Sequence, residues 1–221
     1  GQGGELAFVN ASASTVTAED DAGRVVWPDV EPLQKAPEAA YEPSEAGQYA
    51  LEFTSSEQQS GKSSYGFRLP RGHAGTVVLN ALGDGENTSV KASFLSNDAR
   101  PVFTNARVRI LNTWFNDSDA DSEAEPVDLY LVEGSGCDNP LSGEGVVPEP
   151  DVSSLAYSDR SSMLPVQAGD YQLVVTDSGD PSKGLLCDDS VSLETHGLYE
   201  LVVTRLQDGS DSGLIRVNRV R

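Results

Sequence analysis

Positive charge is scarce in this chain: 15 Lys and Arg stand against 35 Asp and Glu, a formal net charge of −20 over 221 residues. Binding a phosphate backbone takes a basic patch. The only basic cluster is Arg216, Arg219 and Arg221, with Arg205 nearby, so nucleic acid is not expected as a partner. Those arginines read either as the charged solvent face of an edge strand or as a docking surface for an acidic neighbour. Histidine occurs twice, at His73 and His196, each in the turn before a late strand, where a polar loop residue is the simplest reading. No Gly-x-Ser-x-Gly elbow, His-Glu-x-x-His pair or phosphate-cradling Gly-Lys-Ser or Gly-Lys-Thr loop occurs, so an enzyme is not expected. No apolar run reaches the roughly 20 residues of a membrane-spanning helix. The opening Gly1-Gln-Gly-Gly4 reads as a processed or an artificial terminus; on the first reading a precursor carrying an export signal or lipid-bearing cysteine is expected. Helical periodicity is nearly absent too. The one candidate, Pro32 to Tyr41, contains Pro32 and Pro37 and is followed by Pro43, and it is expected to be a loop.

What the chain does contain is a repeat. Glu45-Ala-Gly-Gln-Tyr-Ala-Leu-Glu-Phe-Thr-Ser-Ser56 returns 122 positions later as Gln167-Ala-Gly-Asp-Tyr-Gln-Leu-Val-Val-Thr-Asp-Ser178, with six of the twelve residues identical. Near the start, Leu6-Ala-Phe-Val-Asn10 matches Val108-Arg-Ile-Leu-Asn112 at an offset of 102, while Leu69 matches Leu193 at 124. The second copy is therefore longer by about twenty residues, most of them before the repeated strand. Apolar side chains alternate in both copies: Tyr171, Leu173 and Val175; Val127, Leu129 and Leu131; Tyr199, Leu201 and Val203. Turn residues separate these runs, at Ala46-Gly47, Gly83-Asp-Gly85, Ala168-Gly169 and Asp208-Gly209. Short alternating strands in units of about 100 residues predict two tandem immunoglobulin-like antiparallel β-sandwich domains, residues 1–103 and 104–221.

In the second copy the order is Ala106 to Asn112, then Glu125-Pro-Val-Asp-Leu-Tyr-Leu131, then Leu155-Ala-Tyr157, then Pro165-Val-Gln-Ala-Gly-Asp-Tyr171, and last Leu193 to Val203. This order resembles the bacterial envelope domains called domain of unknown function 4397. In that family a first strand ending in Asn precedes a Pro-Val-Asp-Val-Tyr-like strand, a Pro-Ala-Gly-x-Tyr strand and a late hairpin. The first copy keeps the Asn10 strand and Ala46-Gly47-Gln-Tyr49 but lacks the Pro-Val-Asp strand, and Gly75 stands where the late Tyr would be. The resemblance implies a secreted or periplasmic β-sandwich with no known reaction. The only cysteines, Cys137 and Cys187, lie 50 positions apart in the second copy and suit that compartment. A disulfide is expected, with two free buried thiols or a metal pair as alternatives.

Few residues offer chemistry. Asp117, Asp119, Asp121 and Glu123 place carboxylates at every second position, like the first half of a calcium loop. The sixth position lacks Gly, and the twelfth, Asp128, falls inside a strand, so a solvated acidic loop competes with calcium; no other cofactor is expected. Trp27 and Trp114 adjoin strand ends, where their rings would either stack on a sugar or pack in a core. Asn10, Asn87 and Asn116 head glycosylation sequons, whose use the bacterial resemblance argues against. The segments Gly1 to Val9 and Leu214 to Val220 are expected as edges able to pair with another chain. The reading is a non-catalytic structural or adhesive module that is secreted, periplasmic or at the cell surface. Its expected partners are other envelope or surface proteins, or further copies of itself; the alternative is a carbohydrate- or calcium-binding module.

Overall fold

The computed structural model describes every residue except 1–3, 42–47, 57–61, 70–73, 83–89, 97–103, 117–123, 135, 139, 142–146 and 219–221. The strands are β1 (Gly4–Asn10), β2 (Val16–Asp20), β3 (Val25–Val30), β4 (Lys35–Tyr41), β5 (Gln48–Ser55), β6 (Ser63–Arg68), β7 (Ala74–Ala81) and β8 (Lys91–Ser96). They continue with β9 (Ala106–Trp114), β10 (Val127–Glu133), β11 (Val152–Leu155), β12 (Leu164–Val166), β13 (Gly169–Asp177), β14 (Asp180–Leu193), β15 (Leu198–Arg205) and β16 (Ser212–Asn218). The chain forms two compact units, with β1 to β8 in one and β9 to β16 in the other. The junction expected at residues 103 and 104 abuts residues 97–103, outside those described.

The two units repeat each other strand for strand. Sheet order β4-β1-β7-β8 in the first becomes β12-β9-β15-β16 in the second, and β3-β2-β5-β6 becomes β11-β10-β13-β14. Each unit is a β-sandwich, as the alternation predicts, and the recurring Tyr49 and Tyr171 strands, β5 and β13, occupy the same place. One pair per unit departs from antiparallel. β1 lies between β4 and β7, antiparallel to the first and parallel to the second, from Glu5 opposite Ala74 to Asn10 opposite Leu79. β9 pairs in parallel with β15 in the same way.

Two expectations are overturned here. The segment read as a loop contains strand β4; Pro37 is accommodated because the β1–β4 register shifts between Phe8 opposite Ala36 and Leu6 opposite Ala39, at a sheet edge. The N-terminal segment is no free edge either. From Gly4 onward β1 is hydrogen-bonded on both sides, so it has no unpaired backbone to offer another chain.

Each core draws on both of its sheets. In the first, Leu6, Phe8, Val77 and Leu79 meet Val16, Trp27, Leu51 and Phe53, with Phe8 stacked on Trp27 at 5.4 Å and on Phe53 at 5.5 Å. In the second, Val108, Ile110, Leu201 and Val203 meet Leu129, Leu173 and Val175. Each such side chain stabilises its unit by about 1.5–3 kcal/mol. The first copy also shows why Gly75 replaces the late tyrosine. The Phe94 ring lies over it, and a Cβ there would come within 2.3 Å of that ring.

Candidate functional site

The polar residues shared by the two copies are buried and tie one sheet to the other. Asn10 and Asn112, both 0% exposed, lie at or near the end of the first strand of each unit, Asn10 closing β1 and Asn112 two residues before the end of β9. Asn10 Nδ2 donates to the Val30 carbonyl at 2.8 Å, and its Oδ1 accepts from the Ser12 amide at 3.0 Å. Asn112 Nδ2 donates to the Leu155 carbonyl at 2.9 Å, and its Oδ1 accepts from the Trp114 amide at 2.8 Å. Val30 and Leu155 are the last residues of β3 and β11, so the same amide crosses the same gap in both units. The backbone repeats the arrangement, with the Leu33 and Ser158 amides donating to the Asn10 and Asn112 carbonyls, each at 2.7 Å.

Around these clamps recur features with no counterpart in residue identity. Leu33 and Ser158 have φ of 64° and 71°, and four positions earlier Asp29 and Ser154 have φ of 45° and 51°. Left-handed backbone is costly for side chains of these types. It is held by a bulge capped from the neighbouring strand: the Asp29 amide donates to Thr17 Oγ1 at 3.1 Å, and the Ser154 amide to Asp128 Oδ1 at 2.7 Å. Asp128 Oδ2 also accepts from the Gly179 amide at 2.9 Å. The aspartate of the Pro-Val-Asp strand is therefore 4% exposed and committed to two backbone turns, unavailable to a bound ion.

Asp117, Asp119, Asp121 and Glu123 lie outside the described residues. The base of their loop is tied down. The Glu125 amide donates to the Asn116 carbonyl at 2.8 Å, and Asn116 Nδ2 donates to Asp177 Oδ1 at 2.6 Å. Asp177 Oδ2 meets Lys183 Nζ at 2.5 Å. Burial pushes the Asp177 carboxyl up, but the hydrogen bonds from Lys183 and Asn116 and the Lys183 charge outweigh it and hold the group below its ordinary 3.8. A depressed folded value stabilises above the unfolded one and is lost as pH falls through it. Asp177→Asn is therefore expected to melt below the unsubstituted chain at neutral pH, with the gap closing as pH drops under 3.8. Thermal melts at stepped pH check this, and a gap independent of pH would contradict it.

The tryptophans are not a sugar platform. Trp27 is 2% and Trp114 3% exposed, each inside its unit's core, and stacking on a ligand needs an open ring face. Trp27, with only 2% of its surface exposed, is one of the residues beside an open groove of about 340 Å³ at the edge strands β3 and β4, lined also by Pro28, Asp29, Glu31, Gln34 and Lys35. Asn10 and Asn116 are buried and bonded, so neither sequon is presented for glycosylation; Asn87 and His73 lie outside the described residues. His196, with φ of 67°, stands in the turn before β15. On β16, an edge strand, Arg216 donates to the Ser190 carbonyl at 2.8 Å and lies 5.9 Å from the Tyr199 ring centroid. Arg205 Nη1 donates to the Phe115 carbonyl at 2.7 Å. Arg219 and Arg221 fall outside the described residues.

Cys137 and Cys187 form a disulfide with Cα atoms 5.9 Å apart. The bond joins β14 to the segment after β10. There Leu141 is 9% exposed, packed in a small apolar cluster with Tyr130 and Val174 and separate from the core. That cluster escaped the sequence reading. Its signal was present in Val174 between Leu173 and Val175 and in Tyr130 between Leu129 and Leu131, strands apolar on both faces.

No protein-family model matches the chain, and no curated protein does. Among solved structures it is similar to the Bacillus anthracis TIE protein at 10% identity and a TM-score of 0.24, over 92% of this chain and 33% of that one. The chain thus spans about a third of that protein. It is also similar to a Bacteroides fragilis protein named for cell adhesion, at 10% identity and a TM-score of 0.22, over 95% and 85% of the two chains. Likeness this loose carries no argument; the fold rests on the strand pairing itself. Among the described residues no helix is long and apolar enough to cross a membrane.

Proposed function

We propose that this chain is a non-catalytic structural or adhesive module of the bacterial cell exterior, working beside other envelope or surface proteins. The observation that carries the reading is that the repeated polar residues, Asn10 and Asn112 with the turns around them, serve the sandwich itself in both copies. Duplicating a scaffold extends a protein without duplicating a reaction. A disulfide and a charge of −20 suit an oxidising exterior. The test is labelling of intact, unpermeabilised source cells with an antibody to this chain, alongside adhesion of a strain lacking the gene. Surface labelling with impaired adhesion or surface assembly is expected; labelling that requires permeabilisation of every membrane would overturn the reading.

A further inference from the structure

The two copies diverge at one matched place on the outer face of a sheet. In the first unit Glu19 on β2 pairs with Glu52 on β5, and Lys62 bridges them, with Nζ 2.6 Å from Glu19 and 3.7 Å from Glu52. The corresponding pair in the second unit is Tyr130 on β10 and Val174 on β13. An ionic, solvated surface has become an apolar one, and Leu141, Val132 and Cys187 pack on it. Val132 and Cys187 belong to β10 and β14, whereas Leu141 comes from the insertion that the first copy lacks. The insertion's turn is held in left-handed backbone at Gly134, Gly136 and Cys137, with φ of 112°, 107° and 50°. It is tied at two points. Cys137 is bonded to Cys187 on β14, and its amide donates to Gln172 Oε1 on β13 at 2.9 Å. Gln172 occupies the place that Ala50 holds in the first copy.

We infer that the Cys137–Cys187 bond is a redox latch: closed, it holds Cys137 and Leu141 at the Tyr130–Val174 face, and opened, it releases them and bares that face while the sandwich stays folded. Three features support it. The covered cluster is separate from the core, so uncovering it removes no core contact. Both cysteines are only partly buried, within reach of a small reductant. A non-glycine residue in left-handed backbone relaxes once its tether is cut. The chemistry is thiol–disulfide exchange with an external dithiol. Its thiolate attacks one sulfur, the other Cys leaves as thiolate and takes a proton, and the second dithiol sulfur resolves the mixed disulfide, leaving Cys137 and Cys187 as thiols and the reductant oxidised.

The test is hydrogen exchange by mass spectrometry on the full chain, before and after dithiothreitol, with a dye that fluoresces on apolar surface. Reduction is expected to speed exchange in peptides spanning residues 134–141 by roughly tenfold or more and to raise dye fluorescence, with β9, β10, β13 and β15 as protected as before. Unchanged exchange at 134–141 would show that the turn needs no latch, and loss of protection through β10 and β13 would show a general staple; either overturns the proposal. The oxidised Leu141→Ser variant separates cover from latch: it is expected to raise dye fluorescence while exchange at Cys137 stays slow. Fluorescence equal to that of the unsubstituted oxidised chain would contradict Leu141 as the cover.

Discussion

Replacing Trp27 by alanine is expected to lower the melting temperature of the first unit by about 15 °C or more. The side chain is 2% exposed and stacks on Phe8, which in turn stacks on Phe53, so its removal opens a void among rings that cannot close up without losing that stacking. Deleting an aromatic side chain from a core costs about 3–5 kcal/mol, and each kcal/mol shifts melting by about 4–8 °C in a unit of this size. Trp27→Phe, which keeps an aromatic ring in the site, is expected to recover more than half the loss. Calorimetry decides. A Trp27→Ala chain that melts where the unsubstituted one does, while losing retention on an immobilised glycan, would return Trp27 to the sugar-stacking role.

The second large effect concerns Asn112. Its alanine variant deletes the donor to the Leu155 carbonyl and the acceptor for the Trp114 amide, leaving two buried backbone groups without the partner each now has. An orphaned buried polar group costs about 1–3 kcal/mol, so a loss of about 2–4 kcal/mol is expected in denaturant titration. Asn112→Asp keeps an acceptor but loses the donor, and at neutral pH it sets a carboxylate against the Leu155 carbonyl in a site 0% exposed. It is expected to be no better than alanine. Asn10→Ala is expected to act alike on the first unit, because Val30 and Ser12 stand to Asn10 as Leu155 and Trp114 do to Asn112. A loss below about 0.5 kcal/mol in both would mean that the clamps are incidental to stability.

The fold was legible because sandwiches are written in alternation and turns, and both survive divergence. The Tyr171 strand and the Asn112 strand announced their places through side chains that the core and its sheet-to-sheet bond require. Strand β4 was not legible, since Pro37 within it and Pro32 and Pro43 on either side argue for a loop unless one knows that the register shifts at Pro37 on a sheet edge. Nor were the recurring left-handed residues. Leu33 and Ser158 share no side-chain property, and the small polar Asp29 and Ser154 share one with much of the surface; the geometry is held by their amides donating to Thr17, Asp128 and the two asparagine carbonyls. The Trp27 and Trp114 platform failed for a related reason. A ring beside a strand end points inward or outward by register, and neighbours in sequence do not reveal which. The cysteine pair was legible as a pair, but the apolar face beneath it depends on which residues β10 and β13 set side by side.

The parallel pairing of the first strand has a bearing on how the chain gains its structure. Glu5 lies opposite Ala74, 69 positions away, and Arg107 opposite Leu198, 91 positions away, whereas β2 with β3 and β15 with β16 are neighbouring strands. Closing long loops is slow, and contacts between distant residues form late. In a chain emerging N-terminus first, each leading strand lacks one of its two partners until nearly the whole unit has followed. A chain in that condition stays open at its leading strand, and each unit completes itself only when its seventh strand arrives.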